Sequence, residues 1–172
     1  MIITYRDATP ADGPALDAMA RTSWLLTFGH SAPLSDIELY LAGAYGPEGR
    51  LLRDLTDPAI RFRLALEGER IVGYVKLMPP WLDPATVEPG SLQLSQLYVV
   101  PDHHGAGVGP ALMDWTTDAA RAAYAPALYL TVWEENARAL RFYQRRGFVH
   151  VGDYAFQTGT QVDRDLIMRL SL

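Results

Sequence analysis

"SLQLSQLYVVPDHHGAGVGPAL", residues 91–112, joins a run of strand-formers to a glycine-spaced turn and the start of a helix. Leu92 and Leu94 keep one phase of alternation and Leu97 and Val99 keep the other, so one residue too many lies between them. A β-bulge near Ser95–Leu97 accounts for the change and frees backbone N–H and C=O groups there. The alternative is a strand buried on both faces, for which phase means little. Glycines follow at 105, 107 and 109. In that register main-chain N–H groups can approach a guest closely, and a helix start behind them favours an anion such as a phosphate. A loop that merely needs positive φ is the other reading.

The turn fits neither common nucleotide motif. A P-loop needs Gly-Lys-Ser/Thr opening the helix, whereas Gly109 is followed by Pro110 and Ala111. The G-x-G-x-x-G fingerprint needs Gly at 110 or 112 and finds Pro110 and Leu112. His103 and His104 are adjacent, so their side chains diverge, and no acid or further His stands beside them at ligand spacing; no metal is expected.

Outward from this stretch, the chain of 172 residues reads as one domain, residues 1–172. Its net charge of −5 disfavours nucleic acid as partner. Without cysteine it has no disulfide, zinc–thiolate site or Cys nucleophile. No run approaches the roughly 18 apolar residues of a membrane span, and no signal peptide is apparent, so a cytoplasmic location is expected. "IITYRDA" opens as a strand, and Thr9 with Pro10 starts a helix. A second helix is expected from a Ser35–Glu38 capping box. "AIRFRLAL" and "IVGYVKLM" form a hairpin about "EGER". The helix after the glycines carries Ala111, Trp115, Ala119 and Ala122 on one side and Asp114, Asp118 and Arg121 on the other. "ALYLTVW", "NARALRFYQRRG" and two final strands complete the order β-α-α-β-β-β-α-β-α-β-β. The fold class is α/β (α+β): a single mixed, mostly antiparallel sheet of about seven strands, with a bulged central strand and flanking helices.

The strand, the run His104-Gly105-Ala106-Gly107-Val108-Gly109 and the helix behind it resemble the coenzyme A-binding segment of the GNAT acetyltransferases, Q/R-x-x-G-x-G/A. "LYLTVWEENARALRFYQRRGF" resembles the family's next strand and helix, N-x-x-A-x-x-x-Y-x-x-x-G-F, at Asn136, Ala139, Tyr143, Gly147 and Phe148. Asn136, Leu140 and Tyr143 also form one helical stripe. Within the family, "TFGHSAPLSDIELYL", "IVGYVKLMPP" and "GTQVDRDLIMRL" look closest to the PaiA-type polyamine N-acetyltransferases.

The resemblance implies acetyl-CoA as co-substrate and direct transfer to a primary amine, from a chain that is a monomer or homodimer. His104, the glycines with Ala106 and Val108, and Asn136 would hold the cofactor. Its pantetheine arm would lie along Leu97, Tyr98 and Val99 as an added strand. Tyr143 would protonate the leaving thiolate. Two departures stand out: His104 replaces Gln or Arg, and Pro110 removes a backbone donor. No acid stands on the bulged strand, where many relatives carry Glu; Glu134 and Glu135 are the nearest candidates for a base. Trp24, Phe28, Tyr40 and Trp81 would offer a small cationic amine their aromatic faces, unless they are core. A peptide N-terminal acetyltransferase and a silent acyl-CoA-binding module are the competing functions.

Overall fold

A computed structural model describes residues 2–172. Seven strands form one sheet: β1 Ile3–Asp7, β2 Arg61–Glu67, β3 Arg70–Met78, β4 Leu92–Val99, β5 Ala127–Trp133, β6 Val149–Thr158 and β7 Gln161–Ser171, ordered β1-β2-β3-β4-β5-β7-β6. Every neighbouring pair is antiparallel except β4 and β5, which run parallel and pair only at Leu92–Leu128 and Gln93–Tyr129. The expected bulge is present: Lys76 faces Gln96 but Leu77 faces Leu94, which leaves Ser95 as the extra residue. Beyond Gln93 the two central strands part, and the β5-facing edge of β4 is open.

Helices α1 (Gly13–Phe28), α2 (Leu34–Ala44) and α3 (Arg50–Leu55) bury Leu16, Trp24, Ile37 and Leu51 against Phe62, Leu64 and Tyr74 on one face. Helices α4 (Val108–Ala122) and α5 (Ala137–Arg145) bury Leu112, Met113 and Tyr143 against Val75, Leu94 and Leu130 on the other. Among the described residues no helix is long and apolar enough to cross a membrane.

Three local expectations are corrected. Helix α2 begins at Leu34 behind Pro33 rather than behind a Ser35 cap; Ser35 is exposed in the first turn. Helix α3 is absent from the sequence reading, having only six residues and no side-chain cap. In α4 the buried face is Val108, Leu112, Met113, Thr116 and Ala120, one residue round from the alanine stripe. Leu112 and Met113 carry more apolar area than alanine, so their side wins the core. Trp115 instead lies under Arg61, 4.8 Å from its ring centroid.

Candidate active site

A cleft of about 1500 Å³ runs along the open edge of β4, from the glycine turn to the far side of β5. Gly105 and Gly107 have φ of +83° and +84°, and a β-carbon on either would meet nothing within 4 Å, so the turn is a bare concave surface. The Ala106 N–H is spent on the His103 carbonyl at 3.2 Å. The N–H groups of Gly105, Gly107, Val108 and Gly109 donate to none of the described residues, and the last two open α4. These groups and the helix dipole suit an anion. Pro110 withholds a donor at the third position of the helix, as its sequence requires. The Val108 side chain is 1% exposed and belongs to the core.

The two histidines have separate tasks. His103 lies buried beneath the turn, Nδ1 3.2 Å from Asp102 and Nε2 3.3 Å from Glu67, and ties the turn to the end of β2. His104 Nε2 donates to the Val99 carbonyl at 2.7 Å, which leaves Nδ1 to accept from the Arg138 guanidinium. Arg138 therefore stands beside the turn and brings a guanidinium to it. It was missed because it lies on α5, 34 residues away. No cluster of three metal-ligating side chains occurs among the described residues.

On α5, Asn136 caps the helix, its Oδ1 accepting from the Ala139 N–H at 3.2 Å. Its amide NH₂ remains for the cleft. Two turns on, the Tyr143 ring packs edge-on against Phe142 and Phe148. The Tyr143 hydroxyl bonds to none of the described residues, and the side chain lines the cleft. Burial pushes this phenol up from its ordinary pKa, so it stays protonated across the neutral range. Leu97, Tyr98 and Val99 line the cleft opposite. Tyr98 is also raised, by burial and then by the phenols of Tyr45, Tyr40 and Tyr143 and the carboxylate of Asp165.

The far end of the cleft is an aromatic chamber. Trp24 stacks on Tyr40 with centroids 4.5 Å apart, and Phe28 meets Trp133 at 5.7 Å. Phe156 closes on Tyr40 at 5.7 Å. Trp24 is 1% exposed, so its ring supports the chamber, while Phe28 and Tyr40 are half-buried. Trp81 lies on the other flank, edge-on to Tyr154 at 5.0 Å. Its loop is pinned by Leu82, buried against Tyr129 and Ile167, and by the Glu88–Arg169 ion pair at 2.6 Å.

The suggested acids do not reach in: Glu134 and Glu135 are exposed, and Glu134 pairs with Arg164 at 2.9 Å. Asp54 lines the cleft but is bound by buried Lys76, whose ammonium is pushed down by burial and pulled back by that carboxylate. The acid that the sequence reading missed is Asp165 on β7. It is 7% exposed, and burial raises it from 3.8 to about 6 against the pull of Thr131. A carboxyl whose folded pKa exceeds its unfolded value holds an extra proton in the native state between pH 4 and 6, so it lowers stability as pH rises through that range. Asp165→Asn is therefore expected to stabilise the fold above pH 7 by up to on the order of 2–3 kcal/mol, less any cost of the buried amide. The gain should vanish near pH 4. Melting curves at pH 8 and pH 4 check this.

A parted strand edge, a bare turn over a helix start and a phenol between them are the features expected of an acyl-CoA-dependent transferase. Residues 24–148 match the Acetyltransferase (GNAT) family. An uncharacterized N-acetyltransferase of Lactobacillus delbrueckii subsp. lactis is 26% identical over 94% of this chain and 92% of its own length. One from Mycobacterium bovis is 34% identical over 69% of this chain and 72% of its own. The solved PaiA N-acetyltransferase of Thermoplasma acidophilum, in complex with coenzyme A, has the same fold, with TM-score 0.78, 20% identity and 100% of both chains covered. The chain belongs to the GNAT acetyltransferase family: it is an N-acetyltransferase with acetyl-CoA as donor.

Proposed function

We propose that the protein transfers the acetyl group directly to the primary amine of a small cationic molecule, of the polyamine kind. The observation that carries this reading is a single continuous cleft, in which the glycine turn and the aromatic chamber meet at the opening between β4 and β5. The pyrophosphate would take the N–H groups of Gly105, Gly107, Val108 and Gly109, with Ala106 shaping the turn and His104 orienting Arg138. The pantetheine amides would pair with the open edge at Leu97, Tyr98 and Val99 and with the Asn136 amide. Attack by the amine on the thioester carbon forms the C–N bond and breaks the C–S bond, and Tyr143 donates to the departing sulfur. The phenol is raised by burial, and a thiolate desolvated beside it is raised as well, so the proton still has a base to go to. Phe28, Tyr40 and Trp81 would form the acceptor's walls, with the buried Trp24 ring behind Tyr40. The motif likeness to PaiA-type enzymes supports a polyamine-like acceptor.

Thiol release from acetyl-CoA, measured with polyamines, amino acids, aminoglycosides and peptides, tests the reading. Small cationic amines should turn over and peptides should not; release with peptides alone would overturn it. Arg138→Ala should weaken acetyl-CoA binding by about tenfold, through loss of one charge-assisted contact worth on the order of 1–2 kcal/mol. Calorimetric titration checks this, with an unchanged melting temperature as the control.

A further inference from the structure

We propose that Asp165 receives the acceptor: its carboxylate holds the primary ammonium in the aromatic chamber and takes one proton from it, which frees the lone pair that attacks the thioester. This inference rests on the acetyl-transfer reading above and adds to it the group that selects and activates the amine.

Register brings the site together. Asp165 stands opposite Trp133 on β5 and opposite Tyr154 on β6, so three neighbouring strands present these side chains on one face. All three line the cleft with Phe28, Tyr40 and Phe156. The titratable groups around Asp165 are Asp163 on its own strand, Tyr154 from β6, Tyr40 from α2 and Tyr98 from β4. No described Lys or Arg pairs with it. Arg164, next in the chain, is turned outward to Asp153 and Glu134 at 3.0 and 2.9 Å. A buried carboxylate without a cation is costly unless something that binds there supplies the charge. Aromatic faces and a carboxylate together fit a primary ammonium, and they disfavour an anionic or neutral acceptor.

Its chemistry also fits. With a pKa of about 6, Asp165 is ionised at neutral pH and so is available as a base. An alkylammonium has no lone pair and is a much weaker acid than this carboxyl, so its first proton passes uphill to Asp165 and the small fraction of neutral amine so formed attacks. Once bonded to carbon, the nitrogen is strongly acidic and gives up its second proton readily. One proton passes from nitrogen to Asp165, and Tyr143 delivers another to sulfur and recovers one from nitrogen. The products are the amide, the thiol and a proton that Asp165 returns to solvent.

The test is calorimetric titration of 1,4-diaminobutane into the coenzyme A-saturated protein, with 1,4-butanediol as its neutral counterpart. The diamine keeps both charges between pH 7.5 and 5, so its own ionisation does not enter, and Asp165→Asn taken through the same series separates Asp165 from the phosphate groups of coenzyme A. Its Kd should rise toward tenfold per pH unit below about 6, and the diol should not bind. Asp165→Asn should bind the diamine at least about fiftyfold more weakly at pH 7.5, as loss of a buried charge-assisted contact requires, with coenzyme A affinity unchanged. A Kd flat from pH 7.5 to 5, or an Asn variant within about threefold of wild type, overturns the proposal, as does a wild-type protein that binds coenzyme A but not the diamine. Failure to bind coenzyme A would instead strike the acetyl-transfer reading, and this inference with it. Should the variant not fold, the wild-type pH series decides alone.

Discussion

Tyr143→Phe is expected to lower kcat by roughly 10²–10⁴ and to leave acetyl-CoA affinity within about threefold, the effect of removing a general acid and nothing else. The substitution deletes one hydroxyl, which bonds to none of the described residues. The ring keeps its edge-on contacts with Phe142 and Phe148 at 5.4 and 5.7 Å. Packing therefore survives, and a melting temperature at or above that of wild type is the accompanying result. Because burial holds the phenol protonated, the ratio of the two rates should stay constant from pH 6 to 9. A parallel fall in kcat and kcat/KM would place the lost contact in the transition state. If turnover changes less than about threefold, single-turnover kinetics must separate chemistry from product release. An unchanged chemical step would make Tyr143 a core aromatic and no more.

Gly107→Glu should abolish acetyl-CoA binding, with Kd raised by more than about 10³, on the scale of a repelled and displaced phosphate contact. The position has φ of +84°, so any side chain costs about 1–2 kcal/mol of backbone strain, but a β-carbon meets nothing and the fold has room for it. The carboxylate would sit at the open N–H groups of α4, where it becomes a built-in competitor for the pyrophosphate. Gly107→Ala separates the two costs: it carries the strain without the charge and should weaken binding by no more than about tenfold. Melting curves with and without acetyl-CoA read both variants. Wild-type affinity in folded Gly107→Glu would make the turn purely structural.

The two halves of the cleft were not equally legible. The bulged strand and glycine turn of the donor half are contiguous in sequence, and their signals are local: the phase change between Leu94 and Leu97 gave the bulge, and Gly105 and Gly107 gave the positive-φ turn. The acceptor half depends on which strand lies beside which. Asp165 sits in an alternating run, "QVDRDLIM", that reads as an ordinary half-buried strand. Only the placement of β7 between β5 and β6 turns it toward Trp133 and Tyr154. Arg138 was hidden for a similar reason, since its contact to His104 joins α5 to a distant turn. The Ser35–Glu38 spacing misled because Pro33 had already begun the helix.

The β6–β7 tip meets α2 closely. Thr160 donates to Asp36 at 2.7 Å, and a β-carbon on Gly159 would come within 2.4 Å of that carboxyl. The hairpin and α2 are thus clasped together across 124 residues of chain. The stretch matched to the family ends at residue 148, so the whole hairpin, with Tyr154, Phe156 and Asp165, lies beyond it. On the reading proposed above, changes along the hairpin would alter the acceptor end of the cleft while the glycine turn and α5 stay as they are, provided the clasp at Gly159 is kept.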